Sequence, residues 1–176
     1  MKTCSRSIRT AEGVIVTVSI RIPTFDEYRE HNGLHYRNLW LQIDDAWTCP
    51  GCGRTKYQIM RWTKRFPKSP MAFMGWVAAL HRHHDHSMGL YRNRPARFSQ
   101  TVICDQCNSA DGAVKRRLKL PATFSFAPTE IRMFVRAKPH SPHSIDFDVA
   151  LAIYTSIVAA SGAIPPPPPP PLPPPP

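Results

Sequence analysis

The run Leu80-His81-Arg82-His83-His84-Asp85-His86 lies between two Cys-x-x-Cys pairs, Cys49/Cys52 and Cys104/Cys107, and Asn108 follows the second pair at once. Pairs at this spacing turn both thiolates of a short loop toward one centre, and two of them fill the tetrahedral shell of one Zn²⁺ with no open position. Such a site holds chain segments together and does no chemistry of its own. The histidine run, with Asn108 brought near it by the zinc, is then the place for a second, exchangeable cation. A neutral imidazole, with an ordinary pKa of about 6.5, can take a proton from water. A divalent cation can neutralise a pentavalent phosphate, so the two together suit hydrolysis of a phosphodiester.

Other uses of four cysteines fit less well. A redox pair needs a thioredoxin-like βαβ pattern beside it, and none is visible. Disulfides belong to oxidising compartments, whereas Cys4 is left here without a partner, which points to a reducing, cytosolic setting. The N-terminus carries no continuous apolar h-region, since Thr17, Ser19 and Arg21 interrupt Val14 to Ile22.

Charge supports a polyanionic partner. Twenty-three Lys and Arg against twelve Asp and Glu give +11 over 176 residues, a field that concentrates nucleic acid near the surface. Membrane binding is disfavoured, because no run of about 18 apolar residues occurs and the charge is not gathered on one amphipathic helix. The last thirteen residues, 164–176, are almost all proline and cannot contribute a core. They are expected to be disordered, with docking of a protein partner on an extended proline helix as an alternative.

The elements that must position the site follow from local pattern. Val14, Val16, Val18, Ile20 and Ile22 alternate with more polar neighbours and predict one strand ended by Pro23. Thr24 and Glu27 have the spacing of a capping box for a helix from Phe25 to His31, stopped by Asn32-Gly33. Tyr36, Leu39, Trp40 and Ile43 make the apolar stripe of a second short helix, with Trp40 as a core anchor. Tyr57 to Phe66 and Met71 to Leu80 are each compatible with strand or helix. Thr101 to Ile103 reads as a strand entering the second cysteine pair, and Asn108 to Leu118 as the helix leaving it. Pro128 suits the first turn of a further helix, and Ser144 the cap of a last one from about Ile145 to Ala160, closed by Gly162. This divides the chain into N-terminal packing elements (1–46), a zinc-bound core (47–120), a C-terminal helical extension (121–163) and the tail.

The cysteine pairs, His83-His84-Asp85-His86 with Gly89, and Cys104-Asp105-Gln106-Cys107-Asn108 with Asp111-Gly112 and Lys115 together resemble the HNH (ββα-metal) endonucleases, in particular the branch similar to phage recombination endonuclease VII. The resemblance covers roughly residues 49 to 119. It implies an α+β, zinc-stabilised, treble-clef-like nuclease core acting on DNA. Carried over, His84 is the general base, and His83 and Asn108 hold the catalytic cation. Asp111, one turn beyond Asn108, could bind that cation directly or through water. His83 stands where this branch usually has an acidic residue. Without that charge the cation binds weakly until the scissile phosphate joins it, and Mn²⁺, Ni²⁺ or Co²⁺ could serve as well as Mg²⁺. A register with Asp85 as ligand and His86 as base stays open, and His81 and His86 either ligate the cation themselves or have supporting or purely structural roles. Lys115, Arg116, Arg117 and Lys119 are the expected phosphate contacts. Two further readings are a DNA-binding module that has lost cleavage and a toxin or effector nuclease.

Overall fold

The computed structural model describes residues 2–9, 15–86 and 96–160; Gly89, Gly162 and the proline tail lie outside them. The expected strand is β2, Ile15–Ile22, and it pairs antiparallel with β1, Lys2–Arg9, in the register Lys2↔Ile22 to Arg9↔Ile15. The partner strand was not expected from Lys-Thr-Cys-Ser-Arg-Ser-Ile-Arg, which lacks an alternating apolar face. Helix α1, Phe25–Glu30, begins with the expected capping box: Glu27 N donates to Thr24 Oγ1 at 3.2 Å and Thr24 N to Glu27 Oε2 at 2.8 Å.

Gly33 adopts φ 72° and starts a 3-10 turn, Leu34–Tyr36, that runs into α2, Arg37–Gln42. Glycine is required there twice over. The conformation is left-handed, and a Cβ would stand 2.3 Å from Trp40 Cβ. Trp40 is 3% exposed, with the His31 and Tyr28 rings edge-on to it.

The two ambiguous apolar runs resolve as strands. β3, Arg61–Arg65, and β4, Phe73–Val77, form a hairpin with Trp62 opposite Trp76, and β5, Leu80–His83, follows two residues later. β5 pairs antiparallel with β6, Thr101–Cys104, in the register Leu80↔Cys104 to His83↔Thr101. Helix α3, Asp105–Arg117, leaves β6 without an intervening loop and packs on both strands. It starts three residues before the expected Asn108, so Cys107 and Asn108 are both helical.

The C-terminal part holds α4, Pro128–Phe134, a short ribbon of β7, Val135–Arg136, with β8, Ser144–Ile145, and α5, Phe147–Ala160. Ser144 is therefore a strand residue and does not cap the last helix. Asp146 takes that role, accepting from Val149 N at 3.2 Å through Oδ1. The sheets among the described residues are all two-stranded, so the fold is a mixed α/β assembly of ribbons and helices. What unites them is one buried cluster, to which Trp40, Ile59, Leu80, Ile103, Val114, Phe126, Ile131, Phe134 and Tyr154 all contribute. No helix among the described residues is long and apolar enough to cross a membrane.

Candidate metal centre and histidine site

The Sγ atoms of Cys49, Cys52, Cys104 and Cys107 lie within 4.8 Å of one another, and none of the four is in a disulfide. A Zn–S bond of about 2.3 Å implies a tetrahedral S···S edge of about 3.8 Å. The Cys49–Cys107 and Cys52–Cys104 separations are 3.7 and 3.8 Å. The donor set is thus shaped for a metal ion such as zinc. Sequence accounts for each half. Cys49-Pro50-Gly51-Cys52-Gly53 folds back on itself through Cys52 N and Gly53 N, which both donate to the Cys49 carbonyl, and Gly53 takes φ 72°. Gly51 lets the knuckle approach the other pair closely, since a Cβ there would stand 3.0 Å from Cys107 Sγ and would require that side chain to shift. The other half is the β6–α3 junction, where Cys104 N donates to Cys49 Sγ at 3.3 Å.

Two residues around this centre were not anticipated. Arg54, 3% exposed, directs Nε at Cys52 Sγ (3.5 Å) and Nη2 at Cys104 Sγ (3.8 Å), and donates through Nη1 to the Lys138 and Ser141 carbonyls. Four thiolates around a divalent ion carry a net charge of −2, and a buried guanidinium is the natural counter-ion. His143 approaches from the C-terminal segment, with Nε2 3.4 Å from Cys107 Sγ and 3.3 Å from Arg54 Nη2. Arg54 had a sequence signal, a cation directly after the knuckle; His143, 36 residues past Cys107, had none.

The histidine run leaves β5 with its side chains divided by burial. His83 and Asp85 are buried, whereas His84 and His86 are exposed. His83 lies flat on Phe98, and its Nε2 donates to the Phe126 carbonyl at 2.7 Å. A neutral imidazole protonated at Nε2 keeps its lone pair on Nδ1, so any ligation by His83 falls to that atom. Phe126 also gives its N–H to Asp111 Oδ1 at 2.9 Å. The backbone of one residue therefore ties the end of β5 to the middle of α3. His84 lies close to His86, ring centroids 4.7 Å apart, and its Nδ1 is 3.4 Å from the Arg82 carbonyl. With Nδ1 as that donor, Nε2 is the basic atom. Burial lowers the His86 pKa, and the Lys115 charge lowers it further while Asp111 opposes. The end of the run thus faces α3, on which Asn108 is partly buried one turn ahead of Asp111.

Several expected site residues already have internal partners. Asp111 is 4% exposed, and its second oxygen is 2.8 Å from Lys115 Nζ, which also donates to the Phe124 carbonyl. Lys115 is therefore turned inward, and Arg116, Arg117 and Lys119 are the exposed cations of that end. Asp85 accepts the Arg97 N–H at 2.9 Å and so fixes the chain returning toward β6. His81 packs on Tyr36 and lines an open cleft of about 640 Å³ with Arg37, Gln42 and Arg82. Burial lowers its pKa. Among the described residues the cysteines are the one set of three or more His, Cys, Asp or Glu side chains close enough to hold an ion. Comparison with protein-family models, with curated proteins and with solved structures finds no match to this chain.

Proposed function

We propose that the chain is a metal-dependent DNA endonuclease of the HNH type. The observation that carries this reading is the β5–β6–α3 unit, a hairpin followed at once by a helix, pinned at one end by the cysteine cluster and at the other by the Phe126 backbone. His84, the first residue beyond β5, has a solvent-facing imidazole whose Nε2 can take a proton from water. The resulting hydroxide attacks phosphorus in line with the 3′ oxygen, leaving a 5′ phosphate. His83 through Nδ1 and Asn108 through its carboxamide oxygen are the residues to hold a divalent cation, which would supply charge stabilisation at the phosphate. The net charge of +11 supplies the attraction for DNA.

Supercoiled plasmid incubated with Mg²⁺ or Mn²⁺ tests the reading. Nicked and linear products are expected from the parent protein, and loss of about 100-fold or more in rate is expected for His84→Ala, the size of general-base contributions. Unimpaired cleavage by His84→Ala would remove it from the mechanism. A second reading, a zinc-stabilised DNA-binding module without cleavage, draws support from Asp111 and Lys115 being bonded to one another. It predicts salt-sensitive DNA binding and no scission with any divalent ion.

A further inference from the structure

The β3–β4 hairpin carries apolar surface that the site described above does not use. Phe66 and Phe73 are 52% and 49% exposed and Met71 is 81% exposed, all at the tip. Exposed rings at a hairpin end usually cost solubility, yet these are fixed in place. Phe66 is held at φ 50°, a conformation unfavourable for a bulky residue, and Ser69 N donates to its carbonyl at 2.8 Å. The Phe66 and Phe73 rings sit 6.1 Å apart, and the Arg65 guanidinium lies 5.3 Å from both ring centres. Gly75 makes the space for this stack, since a Cβ there would stand 3.2 Å from the Phe73 ring and 3.3 Å from Arg65 Cδ. At the base, Arg61 pairs with Asp105 at 3.0 Å, which fastens the hairpin to the first residue of α3.

The charge around the rings decides what they fit. From Ala46 to His84 the chain has no acidic residue and seven cations, of which Arg65 lies against the rings and Lys64 and Lys68 are exposed on the same hairpin. An anionic partner with planar apolar groups matches that pattern. Lipid matches it less well, because the apex is Pro67-Lys68-Ser69-Pro70, and insertion would bury the ammonium and hydroxyl before the rings.

We propose that the β3–β4 tip binds single-stranded nucleic acid, with unpaired bases stacking on Phe66 and Phe73 and the backbone phosphates meeting Lys64, Arg65 and Lys68. Stacking on aromatic rings is open to unpaired bases and closed to bases inside a duplex. The proposal deepens the nuclease reading by naming a substrate form, single-stranded segments, and its test is kept apart from cleavage.

Fluorescence anisotropy is measured with the full chain, a labelled oligo(dT) and a duplex of equal length, without added divalent cation. The parent protein is expected to bind the single strand about tenfold or more tightly than the duplex. Phe66→Ala/Phe73→Ala should bring the two affinities together, with the near-ultraviolet dichroism of the tryptophans unchanged. Lys64→Ala/Lys68→Ala should weaken both and lower the slope of log affinity against log salt by roughly one to two, as expected for two lost phosphate contacts. Equal affinities in the parent, or a preference that survives the double phenylalanine replacement, would overturn the proposal. So would ring-dependent binding to phosphatidylglycerol vesicles without a single-strand preference, which would make the tip a membrane anchor. Plasmid cleavage by the same variants separates the two ideas, since loss of strand preference with intact cleavage removes only the platform.

Discussion

Replacing Arg54 with leucine removes the cation nearest the cysteine cluster while keeping apolar bulk. The side chain directs two nitrogens at thiolate sulfurs and donates to two carbonyls, and that of Ser141 is in a buried contact. Leaving a buried carbonyl unsatisfied costs about 1–3 kcal/mol. Removing one partner of a buried charge pair costs about 3–5 kcal/mol, because the remaining charge is left without compensation. The two terms overlap, since one guanidinium serves both, so the whole loss is about 3–5 kcal/mol. For a chain of this length that corresponds to a fall of roughly 6–20 °C in Tm, at about 2–4 °C per kcal/mol. Thermal melts of the zinc-saturated proteins measure it. A chromophoric chelator added after thiol modification measures the second consequence, faster metal release. Arg54→Lys should fall between, since an ammonium keeps the charge but cannot reach both sulfurs and both carbonyls with one rigid fork. A Tm within 2 °C of the parent, together with unchanged release, would refute the idea that this guanidinium holds the centre.

Asp111→Ala should cost about 2–4 kcal/mol whether or not a divalent cation is present, because it orphans the buried Phe126 N–H and frees Lys115. Asp111→Asn keeps an acceptor for that N–H and should cost less; equal melts for the two variants would show that the Phe126 bond contributes nothing. Gly33→Ala should lower stability by about 1–3 kcal/mol and alter tryptophan fluorescence, as the new methyl group meets Trp40 in a left-handed backbone. Stability of the zinc-saturated protein should also fall as the pH drops below about 6.5. Burial lowers the pKa of His31 and of His140, each bonded to a backbone carbonyl, below the ordinary value of 6.5. Above that pH both residues are neutral in folded and unfolded chains. Below it the unfolded chain takes up protons that the folded chain refuses. Melts at pH 7.5 and 5.5, with zinc content measured at each, check the direction, and His140→Gln should reduce the difference.

The parts legible in the sequence are those fixed by short-range rules. The capping box of α1, the period-two strand β2, the Trp40 anchor and the two cysteine pairs each depend on residues a few positions apart, and each appears as expected. The failures have a common cause in longer-range contact. β1 carries no apolar alternation and owes its strand conformation to pairing with β2. Ser144 has the chemistry of a cap, but pairing with Arg136 claims it for a ribbon and passes the cap to Asp146. The same distinction runs through the site. Alternation separates His83 and Asp85 from His84 and His86, but which set is buried comes from packing, since Leu80 and His83 are both buried although they have opposite parity in β5.

What no pattern announces is the backbone of Phe126, whose carbonyl accepts from His83 and whose N–H donates to Asp111. Backbone groups carry no residue signature, so a main-chain link that joins two site segments is invisible until the fold is known. Its consequence is specific. It fixes the tautomer of His83 and orients Asp111, which in turn pairs with Lys115, while the exposed His84 imidazole meets only the nearby Arg82 carbonyl and the His86 ring among the contacts described. Of the residues proposed to act at this end of the molecule, His84 is the one with an exposed side chain, which is why its replacement is the most informative.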